Sequence, residues 1–220
     1  MVHYDLSHLL QADDQAVCGP IQDDEALLLY ALVRCMRLKR VLEIGGLAGY
    51  STTNFLMAMK RSGPEGFVYT CDLQQCWTQA QNHKVIVKDA RELTGEDLDN
   101  APLDLVLYDC HEMVQLDVHA RLARLGLIDD RTVIALHDTN LHYPPHADAA
   151  GMTAGVVVEP ETGGRAHQLV ERHMVNQLKS MGYDAVCVDT TPAAHHAGFP
   201  FRHGLTICRK FRHLAPPSYF

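Results

Sequence analysis

The fold of this 220-residue chain is decided by one stretch, Val41-Leu42-Glu43-Ile44-Gly45-Gly46-Leu47-Ala48-Gly49-Tyr50-Ser51-Thr52. It predicts a buried strand over 41–44, a glycine-rich turn, and a helix that begins near Ser51. Glycine has no Cβ and adopts positive φ, so such a turn lets a ligand approach the backbone closely. The helix that follows points its free N–H groups at the same place. The stretch therefore predicts a cradle for a small polar cofactor at residues 45–49.

Strand and helix patterns alternate along the rest of the chain. Helical spacing predicts helices over 23–37, 51–61, 117–125 and 166–181. Apolar runs predict further strands over 67–72, 85–87, 103–108 and 132–136. Two last strands, 185–189 and 205–209, have no helix between them and should pair antiparallel. We therefore expect one α/β domain over residues 1–220, with a mostly parallel seven-stranded sheet, an antiparallel closing strand and helices on both faces.

Acidic residues stand at the ends of four predicted strands, at Glu43, Asp72, Asp109 and Asp138. Ligands of parallel sheets bind outside the carboxyl ends of the strands, so these acids should share one functional edge. Asp72 lies about 20 residues past the glycine turn, where an acid accepts hydrogen bonds from a ribose diol. Glu43 is placed to bind a cofactor amine, directly or through water. The four acids predict a binding or catalytic site at that edge.

Composition narrows the classes of partner. The formal net charge of −8 argues against nucleic acid or an anionic membrane as the main partner. The chain has no run of 18 apolar residues and no signal-peptide layout, so we expect a soluble, cytoplasmic protein. Seven cysteines without a C-x-x-C pair indicate reduced thiols. Those in apolar runs are expected in the core, namely Cys35, Cys71, Cys187 and Cys208.

The glycine turn departs from the dinucleotide fingerprint, because Gly45, Gly46 and Gly49 break its G-x-G-x-x-G spacing. The pattern E-x-G-x-x-x-G-Y-S-T instead resembles motif I of class I S-adenosylmethionine-dependent methyltransferases. It is most similar to the catechol and caffeoyl-CoA O-methyltransferase branch and to related small bacterial methyltransferases of antibiotic pathways. The resemblance covers residues 19–140 through specific motifs and the remainder through strand–helix order.

This resemblance implies a Rossmann-like methyltransferase fold, S-adenosylmethionine as cofactor, and methyl transfer to a hydroxyl of a small-molecule acceptor, in secondary metabolism. Transfer to nitrogen or carbon stays open, because a fold does not determine the chemistry. The implied cofactor-binding residues are Glu43, Gly45, Gly46, Gly49, Tyr50, Ser51, Asp72, Leu73, Asp89, Ala90 and Asp109.

In the catechol branch, acids matching Asp109 and Asp138 hold a divalent metal beside the transferred methyl group. Carboxylates are what Mg²⁺ prefers, and we expect that ion. The third ligand of the family is an Asn or Asp directly after the second acid, where this chain has Thr139, with Asn140 one position later. Asn140, Thr139 or His137 could supply it. An imidazole beside two carboxylates would also suit Zn²⁺ or Fe²⁺.

A histidine is the expected general base. Eleven of the fourteen histidines follow residue 110, and His titrates near neutral pH. The lysine that serves as base in the catechol enzymes is replaced by Glu112. We therefore expect His111, or else His137, to deprotonate the acceptor hydroxyl beside Asp109.

The irregular parts of the chain carry three further expectations. Residues 141–165, rich in Pro and Gly, should form a substrate lid. Residues 1–18 should form an arm, which together with the apolar tail at 214–220 indicates a homodimer. Two other functions stay open: a hydroxylase-like protein that binds iron at Asp109, Asp138 and a histidine, and a catalytically silent module that binds S-adenosylmethionine.

Overall fold

The computed structural model describes residues 21, 23–62, 66–75, 80–110, 113–139, 153–158, 165–188 and 204–210. Its helices are α1 (Asp23–Met36), α2 (Tyr50–Ser62), α3 (Gln115–Arg124) and α4 (Val170–Ser180). Its strands are β1 (Arg40–Ile44), β2 (Phe67–Asp72), β3 (His83–Val87), β4 (Leu105–Tyr108), β5 (Val133–Leu136), β6 (Thr153–Val158), β7 (Arg165–Leu169), β8 (Asp184–Val188) and β9 (Leu205–Arg209). Two short 3-10 helices, Ala90–Glu92 and Glu96–Leu98, separate β3 from β4.

Seven of the strands form one sheet in the order β3-β2-β1-β4-β5-β9-β8. The first five are parallel, and β9 runs antiparallel to both of its neighbours, β5 and β8. The order reverses between β1 and β4, so the carboxyl ends of these two strands border the switch point where such sheets bind ligands. The predicted mostly parallel sheet with an antiparallel closing strand is confirmed.

The core lies on both faces of the sheet, because successive strand residues point to opposite sides. On β1, Leu42 packs with α3 and α4, whereas Val41 packs with α1 and α2. On β4, Val106 and Leu107 divide in the same way. The strands are apolar on both sides, as parallel strands covered by helices are. Helices on both faces are thus confirmed.

The predicted helix over 166–181 is wrong in its first turn. Residues 165–169 form β7, which pairs antiparallel with β6, and α4 begins only at Val170. The strand β6 includes Val156, Val157 and Val158, whose branched side chains favour extended backbone. The lid predicted over 141–165 therefore contains a strand and the start of another. Its role as a lid is not tested, and the rest of it lies outside the described residues.

The cysteine prediction is half right. Cys71 and Cys208 are buried, but Cys35 and Cys187 are exposed, because each stands on the outer side of its helix or edge strand. All the cysteines in the described ranges are free thiols. None of the helices in the described ranges has the length and apolar run that a bilayer span needs.

Candidate active site

The glycine turn lies at the carboxyl end of β1, against the end of β4. The N–H of Gly45 donates to the carbonyl of Cys71 (2.9 Å), and the N–H of Asp109 donates to the carbonyl of Ile44 (2.9 Å). Gly45 has φ +89°, and a Cβ built there would lie 2.3 Å from the carbonyl oxygen of Asp109. Only glycine fits this position. The turn closes where the N–H of Gly49 (φ 83°) donates to the carbonyl of Gly46 at 2.7 Å, and α2 begins at the next residue.

Asp72, at the end of β2, organises the turn. Its Oδ2 accepts the N–H groups of Gly46 (2.9 Å) and Leu47 (3.2 Å), while its Oδ1 accepts the N–H of Gln74 (3.1 Å). The next residue, Leu73, has 67% of its surface exposed. The carboxylate of Asp72 thus ties the glycine turn to the end of β2.

Glu43 is fully buried beneath the turn. Its Oε2 accepts the hydroxyls of Thr52 (2.5 Å) and Thr70 (2.8 Å). Burial raises the pKa of Glu43 to about 7, because a carboxylate loses its hydration there, although the hydroxyls of Ser51, Thr52 and Thr70 act to lower it. Its Oε1 is buried without a hydrogen-bond donor among the described residues. Such an atom suits a donor that a ligand brings.

The remaining predicted cofactor residues fall into two places. Tyr50 and the buried Ser51 begin α2, directly after the turn. Asp89 and the buried Ala90 begin the first 3-10 helix after β3. The carboxylate of Asp89 accepts the N–H, Nε and Nη2 of Arg91, and these bonds lower the pKa of Asp89 to about 2. Its side chain thus caps the 3-10 helix.

Acidic side chains surround the buried ring of His137, which follows β5. The ring Nδ1 lies 3.0 Å from Oδ1 of Asp109, and Nε2 lies 3.0 Å from Oε2 of Glu25 on α1. Burial would lower the pKa of His137, but the nearby carboxylates of Asp138 and Asp109 and the bond to Glu25 raise it well above its usual value. Both ring nitrogens are therefore engaged.

Asp138 completes this group. Its Oδ1 lies 3.6 Å from His137 Nδ1, and its backbone has φ +57°, a left-handed conformation that costs energy in any residue but glycine. One ligand atom each of Asp109, His137 and Asp138 can be chosen so that all three lie within 4.8 Å of one another. We call these three residues the Asp–His–Asp group.

Three comparisons relate the chain to known proteins. No protein-family model matches the sequence, and no curated protein matches it either. Solved structures do match. The cofactor-bound protein Rv0187 from MTB aligns over 93% of this chain and 86% of its own, with a TM-score of 0.60 and 19% identity. A putative caffeoyl-CoA O-methyltransferase from Staphylococcus aureus aligns over 88% and 86%, with a TM-score of 0.55 and 15% identity.

A third match is the O-methyltransferase TomG from Streptomyces achromogenes, in complex with S-adenosylmethionine. It aligns over 96% of this chain and 92% of its own, with a TM-score of 0.54 and 19% identity. The strand order and these alignments indicate the same fold. The chain has the class I methyltransferase fold. At these identities the likeness shows the fold alone.

Within this methyltransferase fold, Thr139, the residue after Asp138, makes its hydrogen bonds to the surrounding protein. The hydroxyl of Thr139 bonds to the hydroxyl of Thr206 (2.7 Å), and its N–H donates to the carbonyl of Gly204 (3.0 Å). Arg172 donates to the Thr139 carbonyl. Thr139 is therefore a structural residue, because its polar atoms are all engaged by the closing strand and α4. The predicted residues Asn140, His111 and Glu112 lie outside the described residues.

Glu25 is a residue of this site that the sequence patterns do not predict. It belongs to the first turn of α1, where an acid is expected to interact favourably with the positive end of the helix dipole. Yet Glu25 is 1% exposed, and it contacts a residue 112 positions away. No local sequence pattern predicts a contact between residues so far apart in the chain. The sequence offers one signal, a third acid after Asp23 and Asp24, at a position on the apolar side of the helix.

Proposed function

We propose that this chain is an enzyme that transfers a methyl group from S-adenosylmethionine to a hydroxyl of a small-molecule acceptor. The observation that carries the proposal is the contact between Gly45 and the backbone carbonyl of Asp109. Through it, the glycine turn adjoins the Asp–His–Asp group on one edge of the sheet. A cradle for one ligand beside polar groups for another is what a transfer between two bound molecules needs.

The cofactor would be held by the turn and its surroundings. We assign the ribose diol to Asp72, whose carboxylate stands at the end of β2 and contacts the glycine turn. We assign the cofactor amine to Glu43, whose buried Oε1 accepts no hydrogen bond from the described residues. The adenine ring would lie beside Leu73, Asp89 and Ala90. The other predicted contacts are Gly45, Gly46, Gly49, Tyr50, Ser51 and Asp109.

The chain's part in the reaction is to orient the acceptor and remove its proton. When bound, S-adenosylmethionine supplies a methyl group on a positively charged sulfur that is already a good leaving group. We assign the proton of the acceptor hydroxyl to His111, which follows Asp109 by two positions. We do not assign it to His137, because that ring is buried and lies between the carboxylates of Asp109 and Glu25.

We also propose that Asp109 and Asp138 hold a divalent metal ion, with His137 or Asn140 as the third ligand. The donor set fits: metal–ligand distances of about 2.0–2.6 Å require ligand atoms within about 5 Å of one another, and the Asp–His–Asp group meets this at 4.8 Å. The resemblance favours Mg²⁺, whereas the imidazole admits first-row transition ions. A bound ion would lower the pKa of an acceptor hydroxyl and orient its oxygen.

Calorimetric titration with S-adenosylhomocysteine tests the cofactor site. We expect micromolar binding to the wild-type protein and at least tenfold weaker binding to Asp72→Asn. The matched control is Asp129→Asn, because Asp129 caps the turn before β5 at the opposite edge of the sheet. Its affinity should equal that of the wild type. An absence of binding to the wild type would remove the proposal, and equal affinities for all three proteins would remove the role of Asp72.

The Asp–His–Asp group also keeps the hydroxylase-like function as a second candidate, since two carboxylates and an imidazole suit iron. Stoichiometric iron without any binding of S-adenosylhomocysteine would favour it. Incubation with S-adenosylmethionine and a catechol probe, read out as released S-adenosylhomocysteine, separates an active transferase from a silent binding module. The homodimer, proposed from residues 1–18 and 214–220, is tested by light scattering on the full chain.

A further inference from the structure

Glu25 reaches the Asp–His–Asp group from α1, 112 residues before His137. Its side chain is fully buried, and its two oxygens have different partners. Oε2 lies 3.0 Å from Nε2 of His137, and Oε1 accepts the N–H of Gly204 at 2.8 Å. Glu25 thus connects α1 to the end of β5 and to the start of β9. A buried carboxylate is costly unless its oxygens are satisfied, and here each oxygen has a donor.

This contact determines which way the imidazole ring faces. With Nε2 against Glu25, the other nitrogen, Nδ1, faces Oδ1 of Asp109 (3.0 Å) and Oδ1 of Asp138 (3.6 Å). Histidines that bind metals commonly donate their second N–H to a carboxylate, which sets both the tautomer and the orientation of the ring. The Glu25–His137 pair has that geometry.

A carboxylate is needed at position 25 because two donors must be accepted at once. Glutamine offers a single acceptor oxygen, so its amide nitrogen would face either the Gly204 N–H or the N–H of His137. Aspartate is shorter by one methylene and cannot reach both from the same backbone position. The side chain of Glu25 therefore matches the task by charge and by length.

We infer that Glu25 is a positioning residue that presents Nδ1 of His137 as the third ligand of a metal held by Asp109 and Asp138. This inference rests on the proposed metal site, and it deepens that proposal by naming the third ligand and the class of ion. A nitrogen donor beside two carboxylates favours Zn²⁺, Co²⁺ or Fe²⁺ over Mg²⁺, which takes oxygen ligands.

The test is a calorimetric titration of the EDTA-treated full chain with Zn²⁺, Co²⁺ and Mg²⁺. We expect the wild type to bind one Zn²⁺ or Co²⁺ ion more tightly than Mg²⁺. The variant Glu25→Gln should bind Zn²⁺ and Co²⁺ 10- to 100-fold more weakly. The control is Asn54→Ala, which removes another buried anchor of α1, the bond from Asn54 to the Ala26 carbonyl (2.6 Å). It should leave the metal affinities unchanged.

A second measurement needs no variant and so remains available if Glu25→Gln does not fold. In the wild type labelled with ¹⁵N-histidine, one equivalent of Zn²⁺ should shift the Nδ1 resonance of one histidine, whose Nε2 keeps its proton. Coordination through Nε2, wild-type metal affinity in Glu25→Gln, or a preference for Mg²⁺ would each overturn the inference. Binding of S-adenosylhomocysteine, measured on the same samples, reports on the proposed transferase function independently.

Discussion

Replacing Gly45 by alanine tests whether the glycine turn is held against the end of β4. A Cβ at this position would lie 2.3 Å from the carbonyl oxygen of Asp109 and 2.9 Å from its carbonyl carbon. Both atoms belong to the backbone, so no side-chain rotation relieves the contact. Gly45 also has φ +89°, which is unfavourable for alanine. The variant therefore carries two penalties, one conformational and one steric.

The conformational penalty is measured separately by two other glycines. Gly126 (φ +70°) and Gly182 (φ +86°) end α3 and α4, and a Cβ at either would meet nothing within 4 Å. Alanine there should cost about 1–2 kcal/mol for the left-handed conformation alone. At Gly45 the end of β4 must also move by about 1 Å to restore an ordinary contact. Overpacking of this kind adds about 1–3 kcal/mol.

Urea unfolding followed by circular dichroism supplies the comparison. Gly45→Ala should lose about 2–5 kcal/mol of unfolding free energy, against about 1–2 kcal/mol for Gly126→Ala and Gly182→Ala. Affinity for S-adenosylhomocysteine should fall at least tenfold in Gly45→Ala only. The reasoning is refuted if Gly45→Ala is no less stable than the two control variants and binds S-adenosylhomocysteine as the wild type does.

Three further predictions concern buried titratable or polar groups. Tyr108 has a buried hydroxyl without a hydrogen-bond partner among the described residues, whereas Tyr69 donates to Asp99 at 2.6 Å; Tyr108→Phe should keep or raise the melting temperature, and Tyr69→Phe should lose about 1 kcal/mol. Folding raises the pKa of Glu43 from 4.5 to about 7. As pH rises through this range the unfolded chain releases the proton first, so the free energy of unfolding falls. Glu43→Gln should abolish this loss of up to about 3 kcal/mol, measured by urea unfolding at pH 5 and pH 8. Burial lowers the pKa of His119 from 6.5 to about 4. As pH drops from 6.5 to 4 the unfolded chain takes up the proton first, so the free energy of unfolding falls. His119→Gln should remove up to about 3 kcal/mol of that loss, and an unchanged pH profile of stability would contradict the lowered pKa of His119.

Much of the fold could be read from local sequence. The bounds predicted for β2 and β9 agree with the structure to the residue, and those of α1 and α2 agree within one. These elements can be predicted because their signals, which are apolar periodicity, glycine and proline, act over a few neighbouring residues. The four acids at strand ends followed from the same reading, since the end of a strand is a local property and parallel strands share an edge.

The failures have a common cause, which is pairing with a distant segment. Local spacing predicts a helix from residue 166, but residues 165–169 form β7, which pairs antiparallel with β6. Cys187 lies in an apolar run, yet β8 is the edge of the sheet and leaves it exposed. A propensity is a weak prior, and tertiary contacts override it where the local signal is short.

The sequence by itself determined the class of fold, the glycine turn and the edge on which Glu43, Asp72, Asp109 and Asp138 stand. Only the tertiary structure decided which of these groups touch, and it brought in Glu25 from 112 residues away. The physical reason is the distance along the chain over which each kind of interaction acts. Backbone preferences act between neighbours in the chain, whereas a hydrogen bond forms only within about 3 Å, and that distance between remote residues is set by the packing of the whole domain.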